Sequence, residues 1–78
     1  MKKQEFILKL QEVLELDRIS LDENTNLIEL DEYDSLSVVL IKALVDKSFS
    51  KKLTGVQLAS ITTVKSFINL IGIENFSD

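Results

Sequence analysis

The chain has 78 residues, 45% of them hydrophobic, and a net charge of −4. This length suits a single domain over residues 1–78, and the apolar content indicates a folded core rather than a disordered tail. Without cysteine or histidine, the sequence excludes disulfides, cysteine nucleophiles, Ser-His-Asp triads and the usual zinc and iron–sulfur ligands. Because these ligand residues are lacking, we also expect no metal site. No apolar run has bilayer length, so we expect a cytoplasmic protein without membrane insertion.

The acidic residues are concentrated in the first half of the chain. Residues 1–34 contain ten acidic and four basic residues, a net charge of −6, whereas residues 35–78 contain five lysines and three acids, a net charge of +2. An acidic surface repels nucleic-acid phosphates, and the later lysines form no continuous basic stripe. The charge distribution therefore argues against a nucleic-acid partner.

The first predicted element is an amphipathic helix over residues 4–16. Its apolar side chains recur at the i, i+3/i+4 spacing of one buried helix face: Phe6, Ile7, Leu10, Val13 and Leu14.

Residues 17–34 lose this periodicity and are rich in Asp, Asn and Thr, which favour turns. We expect a long loop whose apolar side chains hold it against the core: Ile19, Leu21, Leu27, Ile28 and Leu30. A loop of this length in a small domain commonly has a function.

A second helix is predicted from Ser35 to about Ser48, with Asp34 as its N-cap. It carries two apolar stripes: Val38, Ile41, Val45 and Phe49 form the first, and Leu36, Val39, Leu40 and Ala43 form the second. One stripe must face the core. The other either lies against neighbouring helices or forms an exposed surface that binds a partner.

The remaining residues predict a loop over 49–55, a short helical turn over 56–60 and a last helix capped by Thr62 or Thr63. The buried face of that helix comprises Val64, Phe67, Ile68 and Ile71, and Gly72 is expected to end it in a left-handed conformation. Residues 61–64 have β-propensity, but no second strand is predicted to pair with them. The fold class is all-α, a bundle of three longer helices and one short helix.

Ser35 is the residue of greatest interest, because it stands in the first turn of the second helix. Serine often occupies such a position for its helix-starting propensity alone. A nucleophilic serine needs a base, and Lys42 and Lys47 are poorly placed to act as one. A third interpretation is that Ser35 carries a covalently attached phosphate group, because a helix N-terminus stabilises an anion.

From about Glu5 to Ile71, the order of the elements resembles the acyl carrier protein family. The resemblance rests on four features: Asp22 in the loop, Asp34-Ser35-Leu36, Phe49 at the end of the second helix, and Ile61-Thr62-Thr63-Val64. It implies a monomeric four-helix carrier that is not itself an enzyme. A phosphopantetheinyl transferase would attach 4′-phosphopantetheine from coenzyme A to Ser35, and the thiol of that arm would carry acyl groups as thioesters.

The resemblance also implies roles for the surrounding residues. Asp34 would be read by the transferase and help to position magnesium-bound coenzyme A, and Leu36 would be an apolar contact. The positions implied to touch partner enzymes are Leu36, Val39, Ala43 and Asp46. Those implied to face the interior, where an acyl chain could enter, are Phe6, Leu10, Val38, Ile41, Val45, Phe49 and Phe67.

Two departures from the family pattern indicate a specialised member rather than the housekeeping fatty-acid carrier. Leu30-Asp31-Glu32-Tyr33 replaces the usual Leu-Gly before the serine motif, and Asp46 is the only acid in a second helix that also carries Lys42 and Lys47. Acyl-, aminoacyl- or ketoacyl-transferring enzymes of a fatty-acid-like, polyketide or other dedicated pathway are the expected partners. The alternatives are a D-alanyl, aminoacyl or peptidyl carrier, and a helical interaction module without a prosthetic group.

Overall fold

The structure is a computed structural model that describes residues 1–16 and 20–78, and this part of the chain contains α-helices, 3₁₀ turns and loops but no strand. The four α-helices are α1 (Lys3–Val13), α2 (Ser35–Phe49), α3 (Gly55–Ala59) and α4 (Val64–Ile71). The two 3₁₀ turns are Leu27–Glu29 and Ile73–Asn75. The predicted all-α bundle, with one short helix and a long connection before α2, is confirmed. None of the described helices is long and apolar enough to cross a membrane.

Helix α1 ends three residues earlier than predicted, at Val13. Glu15 adopts the left-handed conformation, with φ of 55°. Its N–H donates to the Glu12 carbonyl at 3.2 Å, and the Leu16 N–H donates to the Gln11 carbonyl at 3.0 Å. These two bonds form a Schellman motif, which ends the helix by satisfying its last carbonyls.

The connection between α1 and α2 is bound to the start of α4. Asn26 and Thr63 form an isolated antiparallel bridge. The Leu27 N–H donates to the Thr62 carbonyl at 2.7 Å, and the Val64 N–H donates back to the loop at 3.1 Å. The prediction that no second strand pairs with this β-prone segment is confirmed, since the described residues contain no strand; the single bridge to Asn26 was not predicted. An isolated bridge can form here without a second strand, because it needs only one loop residue as its partner.

The apolar residues of this connection divide into two groups. Leu21 and Leu27 are buried, and the half-buried Leu30 packs against the core, as predicted. Ile28 is more than half exposed, because the 3₁₀ turn that buries Leu27 directs the next side chain outward, so its predicted place against the core is wrong. Ile19 lies outside the described residues.

An aromatic cluster occupies one end of the core. The Phe6 ring makes edge-to-face contacts with Phe49, Phe67 and Phe76, with centroid distances of 5.8, 5.5 and 5.7 Å. Such pairs contribute about 0.5–1.5 kcal/mol each beyond the burial of their area. The cluster therefore holds α1, α2, α4 and the C-terminal segment together.

The ends of α4 are also closed by specific contacts. Thr63 caps its start by accepting from the Ser66 N–H at 3.1 Å, as predicted. Gly72 follows its last turn with a positive φ of 108°, but its ψ of 122° lies outside the left-handed helical region that was predicted. The Lys51 ammonium donates to the Ile71 carbonyl at 2.8 Å. The Asn75 side-chain amide donates to the same carbonyl at 2.8 Å, so groups outside the helix satisfy a carbonyl that has no partner within α4.

Candidate functional site

Helix α2 begins where Asp34 leaves the helical conformation, with φ of −126° and ψ of −174°. The Asp34 carboxylate accepts from the Ser37 N–H at 2.9 Å, and the Asp34 N–H donates to the Ser37 hydroxyl at 2.8 Å. This is a capping box with serine in the third helical position. It confirms Asp34 as the N-cap and defines where the first turn of α2 begins.

Two serines of this first turn have opposite surroundings. Ser37 is only 4% exposed, and its hydroxyl donates to the Asp34 carbonyl at 2.8 Å. Ser35 is exposed, and its hydroxyl forms no hydrogen bond within residues 1–16 and 20–78. Ser35 therefore presents an accessible oxygen to another molecule, whereas Ser37 belongs to the cap.

The surroundings of Ser35 suit an acceptor of a transferred group better than a nucleophilic catalyst. The chain has no histidine, and Lys42 lies seven residues further along α2, about 10 Å along the helix axis. Activation of a serine requires a base within hydrogen-bonding reach. By contrast, the amides and dipole at the start of α2 favour an anion attached at this point.

The second apolar stripe of α2 lies on the protein surface. Leu36 is 68% exposed and Val39 is 61% exposed, and Leu40, Ala43 and Asp46 are exposed as well. The structure thereby decides between the two arrangements that the sequence left open for this stripe. Whether Leu36, Val39, Ala43 and Asp46 touch partner enzymes stays a prediction.

The first stripe faces inward. Ile41 and Val45 are fully buried, and Val38 and Phe49 are half-buried against the same core. Phe6, Leu10 and Phe67, the other positions implied to face the interior, are fully buried. The side chains of this set fill the interior, so entry of an acyl chain among them would require them to move. The acyl-chain role stays a prediction.

Two surface hollows flank the exposed stripe. The first, which we name the acidic hollow, has a volume of about 260 Å³ and is lined by Val13, Leu14, Glu15, Glu32, Asp34, Leu36, Ser37 and Leu40. The second, which we name the lysine hollow, has a volume of about 270 Å³ and is lined by Lys42, Ala43, Asp46, Lys52 and Leu53. The acidic hollow lies beside Ser35, and the lysine hollow lies further along α2.

Tyr33 adjoins the motif from the loop side. It is half-buried, and desolvation by burial raises the pKa of its phenol above the ordinary value of 10.0. The phenol is therefore neutral at physiological pH and adds no charge to this acidic segment. In the described part of the chain, no group of three or more acidic, histidine or cysteine residues could hold a metal ion.

Three features of the structure were missed by the sequence reasoning. Ser37 was not recognised as part of the cap, although the Asp34-x-x-Ser37 spacing is a signal for a capping box. Val56, in the short helix α3, is 83% exposed and had no sequence signal that distinguished it from a core residue. The hollow shared by Lys42 and Lys52 joins residues from different segments, which no local pattern shows.

Four helices with an exposed serine at the start of the second define a small domain suited to carrying an attached group. Among known protein families, residues 2–77 match one described as "Highly reducing polyketide synthase sdgA, C-terminal ACP domain". The chain therefore belongs to the acyl carrier protein family. The family that it matches is that of a specialised carrier domain rather than a housekeeping one, and such domains carry acyl groups rather than catalyse reactions. No curated protein and no solved structure matches the chain.

Proposed function

We propose that this protein carries acyl intermediates as thioesters on a 4′-phosphopantetheine arm attached to the Ser35 oxygen. Its membership of the acyl carrier protein family supports the carrier role. The observation that carries the choice of attachment site is the contrast between Ser35, exposed and unbonded within the described residues, and Ser37, buried in the cap. A transferase can reach Ser35 without opening the helix.

The first turn of α2 fits the chemistry of such an attachment. The arm is joined to serine through a phosphodiester, whose negative charge is favoured at a helix N-terminus. The capping box holds this turn in place from Asp34 to Ser37 without using the Ser35 hydroxyl. When bound, the arm supplies a terminal thiol, a group that the chain lacks because it has no cysteine.

Asp34 and Leu36 flank the attachment site and are proposed to be read by the transferase. Asp34 is exposed although one of its carboxylate oxygens caps Ser37, so its charge remains available to position magnesium-bound coenzyme A during the modification. Leu36 is 68% exposed on the next position of the helix. It offers the transferase an apolar contact adjacent to the reacting hydroxyl.

We further propose that the acyl groups belong to a polyketide-type or other dedicated pathway. The matching family is described as a carrier domain of a highly reducing polyketide synthase. Helix α2 carries Lys42 and Lys47 on its surface and has only one acid, Asp46, so it departs from the acidic second helix of fatty-acid carriers. These features support acyl- and ketoacyl-transferring enzymes as its partners.

Intact-protein mass spectrometry tests the attachment. The wild type and the variants Ser35→Ala and Ser37→Ala are co-expressed with a broad-specificity phosphopantetheinyl transferase. We expect the wild type to gain one phosphopantetheine, Ser35→Ala to gain none, and Ser37→Ala to gain one, since its loss weakens the cap without removing the acceptor. Failure of the wild type to gain mass, with a transferase that modifies another carrier in the same cells, would support an interaction module without a prosthetic group.

A further inference from the structure

We infer that the enzymes served by this carrier meet α2 with a bipolar docking surface. Basic groups of the enzyme face Glu32 and Asp34 near Ser35, acidic groups face Lys42 of α2 and Lys52 of the following loop, and apolar side chains lie between them. This inference rests on the proposed carrier function and specifies the chemistry of the partner.

The acidic hollow defines one end of this surface. Three carboxylates, those of Glu15, Glu32 and Asp34, line it together with the apolar side chains Leu36 and Leu40. Among the residues that the structure describes, no lysine or arginine lines this hollow, so its described lining is negatively charged beside Ser35. A partner surface with arginine or lysine residues is complementary to this end.

The lysine hollow defines the other end. Lys42 and Lys52 line it around the buried side chain of Leu53, and Asp46 offsets one of their charges. Lys47 is exposed on the following turn and adds to the positive charge of this end. Lys51 does not contribute in the same way, since its ammonium donates to the Ile71 carbonyl.

The exposed stripe of α2 joins the two hollows into one surface. Leu36 and Leu40 belong to the acidic hollow, Ala43 belongs to the lysine hollow, and Val39 lies between them with 61% of its surface exposed. The span from Leu36 to Ala43 is seven residues, about 10 Å along the helix axis. A partner therefore meets negative charge, apolar side chains and positive charge in that order along the surface formed by α2 and the residues that flank it.

This order selects both the partner and its orientation. A uniformly basic docking surface is attracted by the acidic hollow but repelled by the lysine hollow, whereas a bipolar surface is attracted at both ends in one orientation only. Exposed ion pairs contribute little affinity individually, but a set of them directs encounter and disfavours the wrong partner. The favoured orientation places the partner's basic groups beside Ser35.

A charge-exchange experiment on two forms of one enzyme tests the inference. The probes are a fatty-acid malonyl transferase with a basic docking surface and a variant of it in which two basic residues facing the far end of α2 are changed to glutamate. Their affinity for this carrier and the kcat/KM of malonyl transfer are measured at low ionic strength. We expect the wild-type carrier to favour the glutamate-bearing enzyme by about fivefold, the scale of a small set of exposed ion pairs. The Lys42→Glu/Lys52→Glu carrier should favour the unmodified enzyme instead.

Lys65→Glu is the matched control, because Lys65 is exposed on α4 and belongs to neither hollow. It should retain the wild-type preference. Lys42→Gln/Lys52→Gln, which removes the charges without reversing them, should abolish the preference, and circular dichroism checks that each variant keeps its helices. Equal affinity of the wild type for both enzymes, or a shift by Lys65→Glu as large as that by the double variant, would overturn the inference.

Failure of this inference and failure of the proposed function give different results. Intact mass shows whether Ser35 is modified before any transfer is measured. If Ser35 is not modified, the proposed function fails, while the affinities of the unmodified carrier still test the docking surface. If Ser35 is modified but the enzyme preference does not follow Lys42 and Lys52, the carrier function stands and the bipolar surface does not.

Discussion

The two apolar faces of α2 have similar composition and opposite surroundings. Ile41 and Val45 on one face are fully buried, whereas Leu36 and Val39 on the other are mostly exposed. Hydrophobicity alone does not distinguish the two faces. What distinguishes them is the rest of the chain, because α1, α4 and the aromatic cluster bury the first face and leave most of the second exposed.

This difference indicates which side chains hold the fold and which are available to other proteins. Burial of a large aliphatic side chain stabilises a small domain by about 1.5–3 kcal/mol, so the inward face contributes to folding. The outward face contributes little of this free energy in the isolated protein. An exposed apolar surface beside an accessible serine is typical of a surface that another protein covers.

The single substitution expected to lower the free energy of unfolding most is on the inward face of α2. Ile41→Ala should lower the free energy of unfolding by about 2–4 kcal/mol, because it leaves a cavity in a filled core. Leu40→Ala, on the adjacent position of the outward face, should lower it by about 0.5 kcal/mol or less. Urea denaturation followed by circular dichroism measures both. Should Ile41→Ala fail to fold, Ile41→Val provides the graded test, with an expected loss of about 0.5–1.5 kcal/mol.

The same comparison applies to the two serines at the start of α2. Ser37→Ala should lower the free energy of unfolding by about 1–2 kcal/mol, because it removes the buried hydroxyl that bonds both the N–H and the carbonyl of Asp34. Ser35→Ala should leave it nearly unchanged, since the Ser35 hydroxyl is exposed. Denaturation of the two unmodified variants provides the measurement. An equal loss for both variants would contradict the assignment of Ser35 as the accessible oxygen.

Substitution of Glu15 is expected to change the free energy of unfolding by a smaller amount and in the opposite direction. It lines the acidic hollow and has a positive φ of 55°, a conformation that costs a residue with a side chain about 1 kcal/mol. Glu15→Gly should therefore raise the free energy of unfolding by about 0.5–1 kcal/mol. The matched control is Glu12→Gly within α1, where the same change should lower it by about 1 kcal/mol. If both variants lose stability, the left-handed Glu15 is not a source of strain.

The smallest expected effect on stability concerns Tyr33, a loop residue that is half-buried against the core. Because burial raises the pKa of its phenol above 10.0 in the folded state, the unfolded chain loses this proton first as the pH rises. Stability conferred by the neutral phenol is therefore present below pH 10.0 and is lost as the pH rises through the folded-state pKa. Tyr33→Phe should show a shallower alkaline loss of stability than the wild type. Urea midpoints across this pH range measure it, and identical slopes would contradict it.

Local patterns in the sequence predicted much of the fold. The 3.6-residue periodicity placed the helices to within three residues at their ends, and the caps at Asp34 and Thr63 were recognisable from residue type. The features that local patterns missed are those decided by a backbone conformation or by a distant partner. Glu15 adopts a left-handed conformation that favours glycine, and Asn26 pairs with Thr63 across the fold.

The candidate site was also predictable only in part, because local patterns show some of its features and distant residues decide the others. Ser35 was singled out by its position after Asp34, and the order of the elements gave the resemblance to carrier proteins. The burial of Ser37 and the hollow between Lys42 and Lys52 depend on residues distant in sequence or on side-chain directions. Spacing along one helix does not provide that information.

The sequence by itself determined that the chain is helical, that a serine opens its second helix, and that this helix is apolar on two sides. These are local properties, since they follow from residue type and periodicity. The tertiary structure decided which apolar side of α2 is buried, which serine hydroxyl is accessible, and how two groups of charges lie along the exposed side. Those features depend on what packs against α2, because burial is a property of an element and its neighbours rather than of the element alone.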